Sequence, residues 1–572
     1  MKKKKLRIPK GEIAVPLALS LALAGSGAWA QTAPDIGNVL HQAQPPIVPA
    51  PVVPALPPVG GTPQPIEPAM SGVPGGAQVS VKSIEIVGNR AIDTATLAAL
   101  VADGLGQSLP LSGLEALAHR ITHHYRSRGY FVARAYIPAQ DATAGTIRIR
   151  VIEGSYGQFH LKNASLVGDD IIQGILDRAK VSEAVSLESL ERSLLIVNDT
   201  PGARVVRADA MPGEQVGTSD FAVETAPTAP YAGYVMADNF GSRYTGRNRL
   251  SFNVDAVSPT GRGDLVSVSG LSTHTGDLVN GRLAYSILLS PDGLRGELAV
   301  SQTEYQLGDV YKSLDAKGTA RAVNAALTYP VRRTRTRAIE ASFDLTYKDL
   351  EDKVQSTGTR TPKTLTAASA GLTVRDEGTF LGQAGLTQGK VEISIGDLRI
   401  EDADARMLDN AGPRTQGGYH KLGVSLSRLS RLPLDISLTA SVRHQRSLND
   451  KNLDSSERMA VSGYTGVMAY PTGELIGTNA TVARLELAQP LPAWEGLRHS
   501  WLAFADWGQA SASNQIATAD RRREISDVGL GWTASYGGVL IKTYLAHRLN
   551  SHAPTSEPAP RDKFLLQAGW VF

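Results

Sequence analysis

From Tyr231 to Phe572 apolar and polar positions alternate with a period of two, in segments of roughly ten to fifteen residues separated by turn residues. RNRLSFNVDAV, GDLVSVSG, GRLAYSILLS, ELAVSQTEYQL, TARAVNAALTY, LDISLTASV, TVARLELAQPL and VLIKTYLAH are examples, among about sixteen in all. One face of many segments carries Leu, Val, Ala and Tyr, and the other Ser, Thr, Asn, Arg and Asp. A wall between lipid and an aqueous lumen needs that division, and only a closed sheet leaves no backbone group unpaired in lipid. The pattern therefore predicts a membrane β-barrel of about 16 antiparallel strands over residues 229–572. Its last segment, KFLLQAGWVF, sets Phe564, Leu566, Ala568, Trp570 and Phe572 on one face and ends on an aromatic. A soluble sandwich would not need so many strands, nor a terminal exposed aromatic.

Upstream the periodicity changes. VSVKSIEIVGN alternates as a strand, DTATLAALVADGLG and LSGLEALAHRITHHYRSRGY follow a helical spacing, and FVARAYIPA and TIRIRVIEG alternate again. Asp93 is a candidate N-cap and Gly129 a helix stop. A small α+β domain is expected at residues 79–156. A second unit of similar texture, residues 157–228, opens with GQFHLKNASLVG, carries the helix SLESLERSLLIVND and closes with the strands ARVVRADAM and TSDFAVETA. Residues 45–78 are rich in Pro and Gly, cannot build a core and read as an extended, semi-rigid tether. Before them, in residues 31–44, Ile36, Val39 and Leu40 share one face of a short predicted helix.

Residues 1–30 combine a basic start, a short apolar run from Ile13 to Ala24 and the small pair Ala28 and Ala30, the form of a cleaved export signal. Without them the chain has 52 basic and 54 acidic residues, net −2, and the basic balance that would suggest a nucleic-acid partner disappears. An extracytoplasmic compartment follows. The chain has no cysteine, which excludes disulfide scaffolds, thiolate metal sites and thiol catalysis.

Several motifs carry the resemblance to a known family. They are NDTPG (Asn198 to Gly202) with MPGEQVGTSDFAV, DNFGSRYTGRNR (Asp238 to Arg249), SPTGRGDLVSV, FADWG (Phe504 to Gly508) and the terminal Phe572. Together they resemble the outer-membrane transporters of two-partner secretion, over nearly the whole chain after the signal. The resemblance implies two periplasmic polypeptide-transport-associated (POTRA) domains, and a helix at residues 31–44 that plugs the pore. It also implies export of a large haemolysin- or adhesin-like partner, delivered unfolded to the POTRA domains. An extended chain could add there as a strand to a sheet edge, through backbone hydrogen bonds that tolerate many sequences. Outer-membrane lipid and the barrel-assembly machinery, reading Trp570 and Phe572 as the assembly signal, are further partners it implies. No cofactor, metal or catalytic residue is expected. A barrel-assembly insertase and a passive porin are the alternatives.

Three features test for other chemistry. His119 and His123 would share a helix face with His124 nearby, but no HExxH glutamate accompanies them, so a solvated basic face is expected. The RGD at Arg262 to Asp264 falls in a periplasmic hairpin turn, and EDADARMLD (Glu401 to Asp409) reads as a solvated extracellular loop.

FADWG is more specific. Phe504, Asp506 and Gly508 share one strand face, and a carboxylate there should point into the lumen. In the resembled family this Asp pairs with an Arg at the tip of a long loop folded back into the lumen. Here the matching tip is Gly466, Val467, Met468, Ala469, Tyr470 and Pro471, and Met468 stands where the Arg would be; aligning VSGY (Val461 to Tyr464) instead puts Ser462 there, and neither supplies the cation. Asp506 must then be held by solvent, a Tyr hydroxyl or another Arg such as Arg458 or Arg484. Met468→Arg is expected to be tolerated and to restore a pair with Asp506.

Overall fold

The computed structural model describes residues 33–44, 56–60, 78–182, 184–215, 217–514, 522–550 and 553–572. The export signal expected at residues 1–30 lies outside them. Residues 34–572 form one compact unit.

Sixteen strands close into a single antiparallel barrel, from Tyr231–Asp238 to Asp562–Val571. Exposed Leu250, Phe252 and Val254 alternate with inward positions along the second strand, and Val391, Ile393 and Ile395 do so on the ninth. These outer residues form the apolar band that lipid requires. The strands are not uniform. Those in the middle, such as Arg337–Val354 and Thr359–Phe380, run 18 and 22 residues, well past the expected segment length. A membrane needs only about 9–11 residues per strand. The alternation continues beyond lipid because the paired strands project together and satisfy each other's backbone. The seam is the opposite case: the last strand meets the first only over Gln567–Val571 against Tyr234–Asp238.

Two α+β units precede the barrel. In the first, Ser83–Val87 pairs parallel with Thr146–Ile152, which Arg134–Tyr136 extends. The helix Leu111–Ser127 covers this sheet and buries Leu117, Ile121 and Tyr125. Asp93 caps the preceding helix, accepting from Thr96 N at 2.8 Å. The second unit orders its strands Ser155–Asn163, Thr218–Pro227 and Ala203–Pro212, leaving the last at the edge. The helix Leu187–Asp199 packs on the sheet, and a helix not expected from the sequence, Asp169–Asp177, joins it through Ile172 and Ile175.

The second unit is clasped to the short barrel turns. Arg333 pairs with Asp199 through two hydrogen bonds of 2.6 and 2.8 Å, and Arg192 donates to Pro330 O at 2.7 Å. The RGD turn docks at the same end. Gly168 N donates to Gly261 O at 2.8 Å, and Asp264 is fully buried, out of reach of any adhesion partner. EDADARMLD differs from the loop expected of it. Asp402 caps a helix, Ala403–Ala411, by accepting from Ala405 N.

Candidate functional site: the occupied lumen

Two elements fill the lumen. The first is the loop between the eleventh strand (Ser437–Ser447) and the twelfth (Asn479–Pro490). A two-residue ladder, Met459–Ala460 on Ile476–Gly477, closes its neck. Beyond the neck the chain makes a tight return. Val467 N donates to Val461 O at 2.8 Å, and Gly466 N to Gly463 O at 2.9 Å. A Cβ on Gly466 would meet Val461 O at 2.0 Å, so the glycine permits this close approach. The stretch GVMAYP is thus a compact tip.

That tip is buried on all sides. Met468 has 0% exposure and packs with Phe240, Leu502, Phe504, Tyr544 and Leu565. A flexible thioether suits such an irregular gap. Val467 and Tyr470 join a second cluster with Val461, Val482 and Ile525. A Cβ on Gly508 would come within 2.3 Å of Val461, so this wall glycine makes the space the loop occupies. Tyr464 stacks on Phe240 with centroids 3.9 Å apart, and the Arg548 guanidinium lies over the Tyr470 ring at 5.6 Å. Lys563 Nζ donates to Tyr470 O at 2.9 Å. Pro471 is buried beside them.

The cation opposite Asp506 comes from the wall. Arg484 lies directly across from Asp506 in the strand register and binds both carboxylate oxygens at 2.7 Å. Arg458, the other candidate, instead donates to Leu453 O within the loop. The register continues as a row, Arg484, Asp506, Asp527 and Arg548, across four neighbouring strands. Two cations and two anions make the row neutral in formal charge. The loop completes it with a dipole, Ala469 N donating to Asp527 Oδ2 at 2.5 Å. This geometry reverses the expectation for Met468→Arg: both Asp506 oxygens are taken, and position 468 faces apolar side chains.

Acidic loop residues meet wall lysines on the way to the tip. Glu457 accepts from Lys348 at 2.7 Å and from Lys421 at 2.5 Å, while Asp454 accepts from Lys363 at 3.0 Å. Burial pushes the Glu457 carboxyl up, but the two ammonium groups more than reverse this and hold it at about 2.

The second element is the helix Ile36–Leu40, capped by Asp35, which accepts from Asn38 N at 2.9 Å. Ile36 and Val39 are buried. The helix touches the wall through Ile36 N to Asp352 Oδ1 at 2.8 Å, Thr245 Oγ1 to Gln42 Oε1 at 2.7 Å and Arg249 Nη1 to Gln42 O at 2.5 Å. It touches the loop where Ser455 Oγ donates to Asp35 Oδ2 at 2.6 Å and His41 Nε2 lies 3.1 Å from Ser455 O. Burial lowers the His41 pKa.

Of the sequence candidates, the structure brings together the tip Gly466–Pro471 and Phe504, Asp506 and Gly508. Trp570 and Phe572 lie elsewhere, on the outer face, with ring centroids 4.8 Å apart. The histidines stay on the helix Leu111–Ser127, His119 and His123 exposed. Asp527, the wall lysines and Asp35 escaped sequence reasoning. Inward alternation was the available signal for the strand residues, but it cannot say which of many lumenal charges the loop meets.

Comparison with known proteins agrees with this architecture. The family model described as "Haemolysin secretion/activation protein ShlB/FhaC/HecB" matches residues 217–534, and the model "POTRA domain, ShlB-type" matches residues 79–154. The heme/hemopexin transporter protein HuxB of Haemophilus influenzae is 25% identical over 436 residues, covering 76% of each chain. The hemolysin transporter protein ShlB of Serratia marcescens is 24% identical over 341 residues, covering 58% of this chain and 59% of that one. Among solved structures, CdiB from Escherichia coli superposes with a TM-score of 0.72 at 20% identity, covering 90% of this chain and 94% of the other.

Proposed function

Because the chain belongs to the haemolysin secretion/activation family of transporters, we propose that the lumen described above is an export channel held closed between transport events. The protein is an outer-membrane transporter that exports a partner exoprotein to the cell surface by two-partner secretion, with its POTRA region in the periplasm. Residues 157–228 act as the second POTRA domain. The helix of residues 31–44 is the plug, and the lumenal loop tip Gly466–Pro471, packed beside Phe504, Asp506 and Gly508, holds the lumen wall in shape. Trp570 and Phe572 are read by the barrel-assembly machinery during biogenesis, and the outer apolar band meets outer-membrane lipid.

One observation carries the reading: a closed barrel whose lumen is occupied by a wall-packed loop and a short helix in contact with it, joined at its short turns to an α+β unit. A passive porin gains nothing from that arm. Transport needs no chemistry. The partner arrives extended, adds to a sheet edge through backbone hydrogen bonds, passes the polar wall and folds outside, and its folding opposes return. A helix of five residues is unstable alone, so the plug unfolds as it leaves and imposes little barrier of its own.

The test is secretion of the exoprotein encoded by the adjoining reading frame. A strain lacking this transporter should lose it. The full chain should restore it, and a chain lacking residues 79–226 that still assembles in the outer membrane should not. Normal secretion by the truncated chain would sink the reading.

A further inference from the structure

The outer face of the barrel is not a smooth apolar band. At its periplasmic end it opens into a cavity of about 680 Å³. Leu487 of the twelfth strand, Trp501 and Ala503 of the thirteenth (Arg498–Ser511) and Leu530 of the fourteenth (Arg523–Tyr536) line it. Leu432 and Ile436 close it from the turn that joins the tenth strand to the eleventh. Leu487, Ala503 and Leu530 lie opposite one another in register, Leu487, Trp501 and Leu530 are exposed, and Trp501 and Ala503 are two apart, so all four share the lipid-facing side. The alanine in that row leaves the hollow. Two observations place the cavity at the edge of a leaflet. Trp501 lies directly across from Trp532, an aromatic pair of the kind that marks a membrane interface. One step nearer the periplasm the same faces turn polar, with Gln489 donating to Leu434 O at 3.2 Å and Trp532 Nε1 to His499 Nδ1 at 3.4 Å. Leu434, at the tip of the turn, is 82% exposed and holds a φ of +63°, a left-handed conformation unusual for a bulky residue. A polar tip would suit water; this one suits a leaflet.

We propose that this cavity binds one acyl chain of a periplasmic-leaflet phospholipid, with the headgroup at the level of Gln489 and His499, and that its occupancy supports the loop in the lumen. Continuity identifies the occupant. The cavity is a recess in the outer apolar band, which faces lipid, and it opens at the end of the barrel to which the second α+β unit is clasped. An acyl chain asks for no polar partner, and apart from Gln489 at the mouth the lining side chains offer little else than hydrocarbon. The floor carries the consequence for the lumen. Ala488 and Leu502, directly opposite each other in register, line the cavity and also pack in the cluster that buries Met468. One layer of wall therefore has the lipid recess on one side and the loop tip on the other. An empty recess takes packing partners from Leu502, and a close-packed wall transmits such a loss. The membrane thereby becomes part of what keeps the loop in place.

Native mass spectrometry of the full chain, extracted in mild detergent, tests the site. Wild-type protein should carry a single phospholipid, and after stripping, titration with phosphatidylethanolamine should saturate at one per barrel. Ala503→Phe fills the recess with a ring, changes no lumenal residue and should bind the lipid at least about tenfold more weakly. Leu487→Trp closes the same recess from the neighbouring strand and serves if the first variant does not assemble. Ala370→Phe, at an outward position of the eighth strand opposite Ile393, should bind as wild type does. Stripped wild-type protein should be cleaved several-fold faster within residues 448–478, and added lipid should restore protection. Ala503→Phe should be protected with or without lipid. Equal retention by the wild type and the filled variants overturns the site. So does uptake that never saturates, a recess that holds only detergent, or a co-purified protein segment or second copy of the chain in place of lipid. Cleavage of the wild type that is indifferent to lipid overturns the support of the loop. Secretion is not the readout, so each of these failures leaves the export reading standing.

Discussion

The two occupants of the lumen are held in opposite ways. The loop tip buries Met468, Val467 and Tyr470 in two apolar clusters and adds a hydrogen bond to Asp527. The N-terminal helix offers only Ile36 and Val39 to burial and relies on a few polar contacts at Asp35, His41 and Gln42. Apolar burial is lost all at once when a close-packed element lifts away, whereas polar contacts exchange readily for water at a net value of about 1 kcal/mol each. The loop is built to stay and the helix to leave.

Substitutions can break that contrast. The largest effect is expected for Arg484→Met, which strands the Asp506 carboxylate beside Asp527. An uncompensated buried charge costs about 3–5 kcal/mol, and the heat-resistant folded form of the barrel should melt at a clearly lower temperature than wild type. An unchanged melting point would mean that the wall row does not hold the barrel. Next comes Met468→Arg, which loses the packing of the thioether and buries a cation among Leu502, Phe504 and Leu565. A cost of at least about 2 kcal/mol is expected, seen as faster protease cleavage within residues 448–478 while the plug stays in place. Asp35→Ala should do the reverse. Losing an N-cap costs about 0.5–2 kcal/mol, so single-channel conductance in planar bilayers should open more often, with no new cleavage in the loop.

The smallest effect is in pH. Burial lowers the His41 pKa below its usual 6.5, with Asp35, Lys348 and Glu457 the charged groups around it. The docked helix therefore disfavours the imidazolium, so docking is at full strength above about pH 6.5 and weakens as pH falls below it. Glu457, held at about 2, behaves oppositely in range: its contribution is complete above its ordinary 4.5 and is lost only as pH falls towards 2. Between pH 6.5 and 4.5 the helix should loosen while the loop holds. Conductance should rise between pH 7.5 and 5.5, and His41→Asn should flatten that rise. A rise that persists in His41→Asn would assign it to another group.

Much of the scaffold could be read from the chain. Alternation located the barrel, because lipid on one side and water on the other constrain every second residue of every strand. Asp93 announced a helix start because a cap acts within three residues. The helix Asp169–Asp177 was missed because DDIIQGILD is too short for a clear helical period, and packing on the second unit's sheet stabilises it. EDADARMLD looked like a solvated loop because its charges dominate, yet Asp402 caps a helix there.

The candidate site divides the same way. Local spacing was enough to put Phe504, Asp506 and Gly508 on one face, while the family resemblance marked GVMAYP as a tip. The partner of Asp506 depended on the register between Asn479–Pro490 and Arg498–Ser511, since a slip of one residue would turn Arg484 to lipid. The burial of Met468 depended on which wall residues the loop of residues 448–478 reaches, and that of Leu56, in the Pro-rich stretch read as a tether without a core, on the second unit's core, which begins about a hundred residues further along the chain. Short-range periodicity is a property of the chain, so the sequence by itself determined a sixteen-stranded wall with two α+β units before it. Register and long-range docking exist only once the barrel has closed, so the tertiary structure alone decided what fills the lumen and where Leu56 is buried.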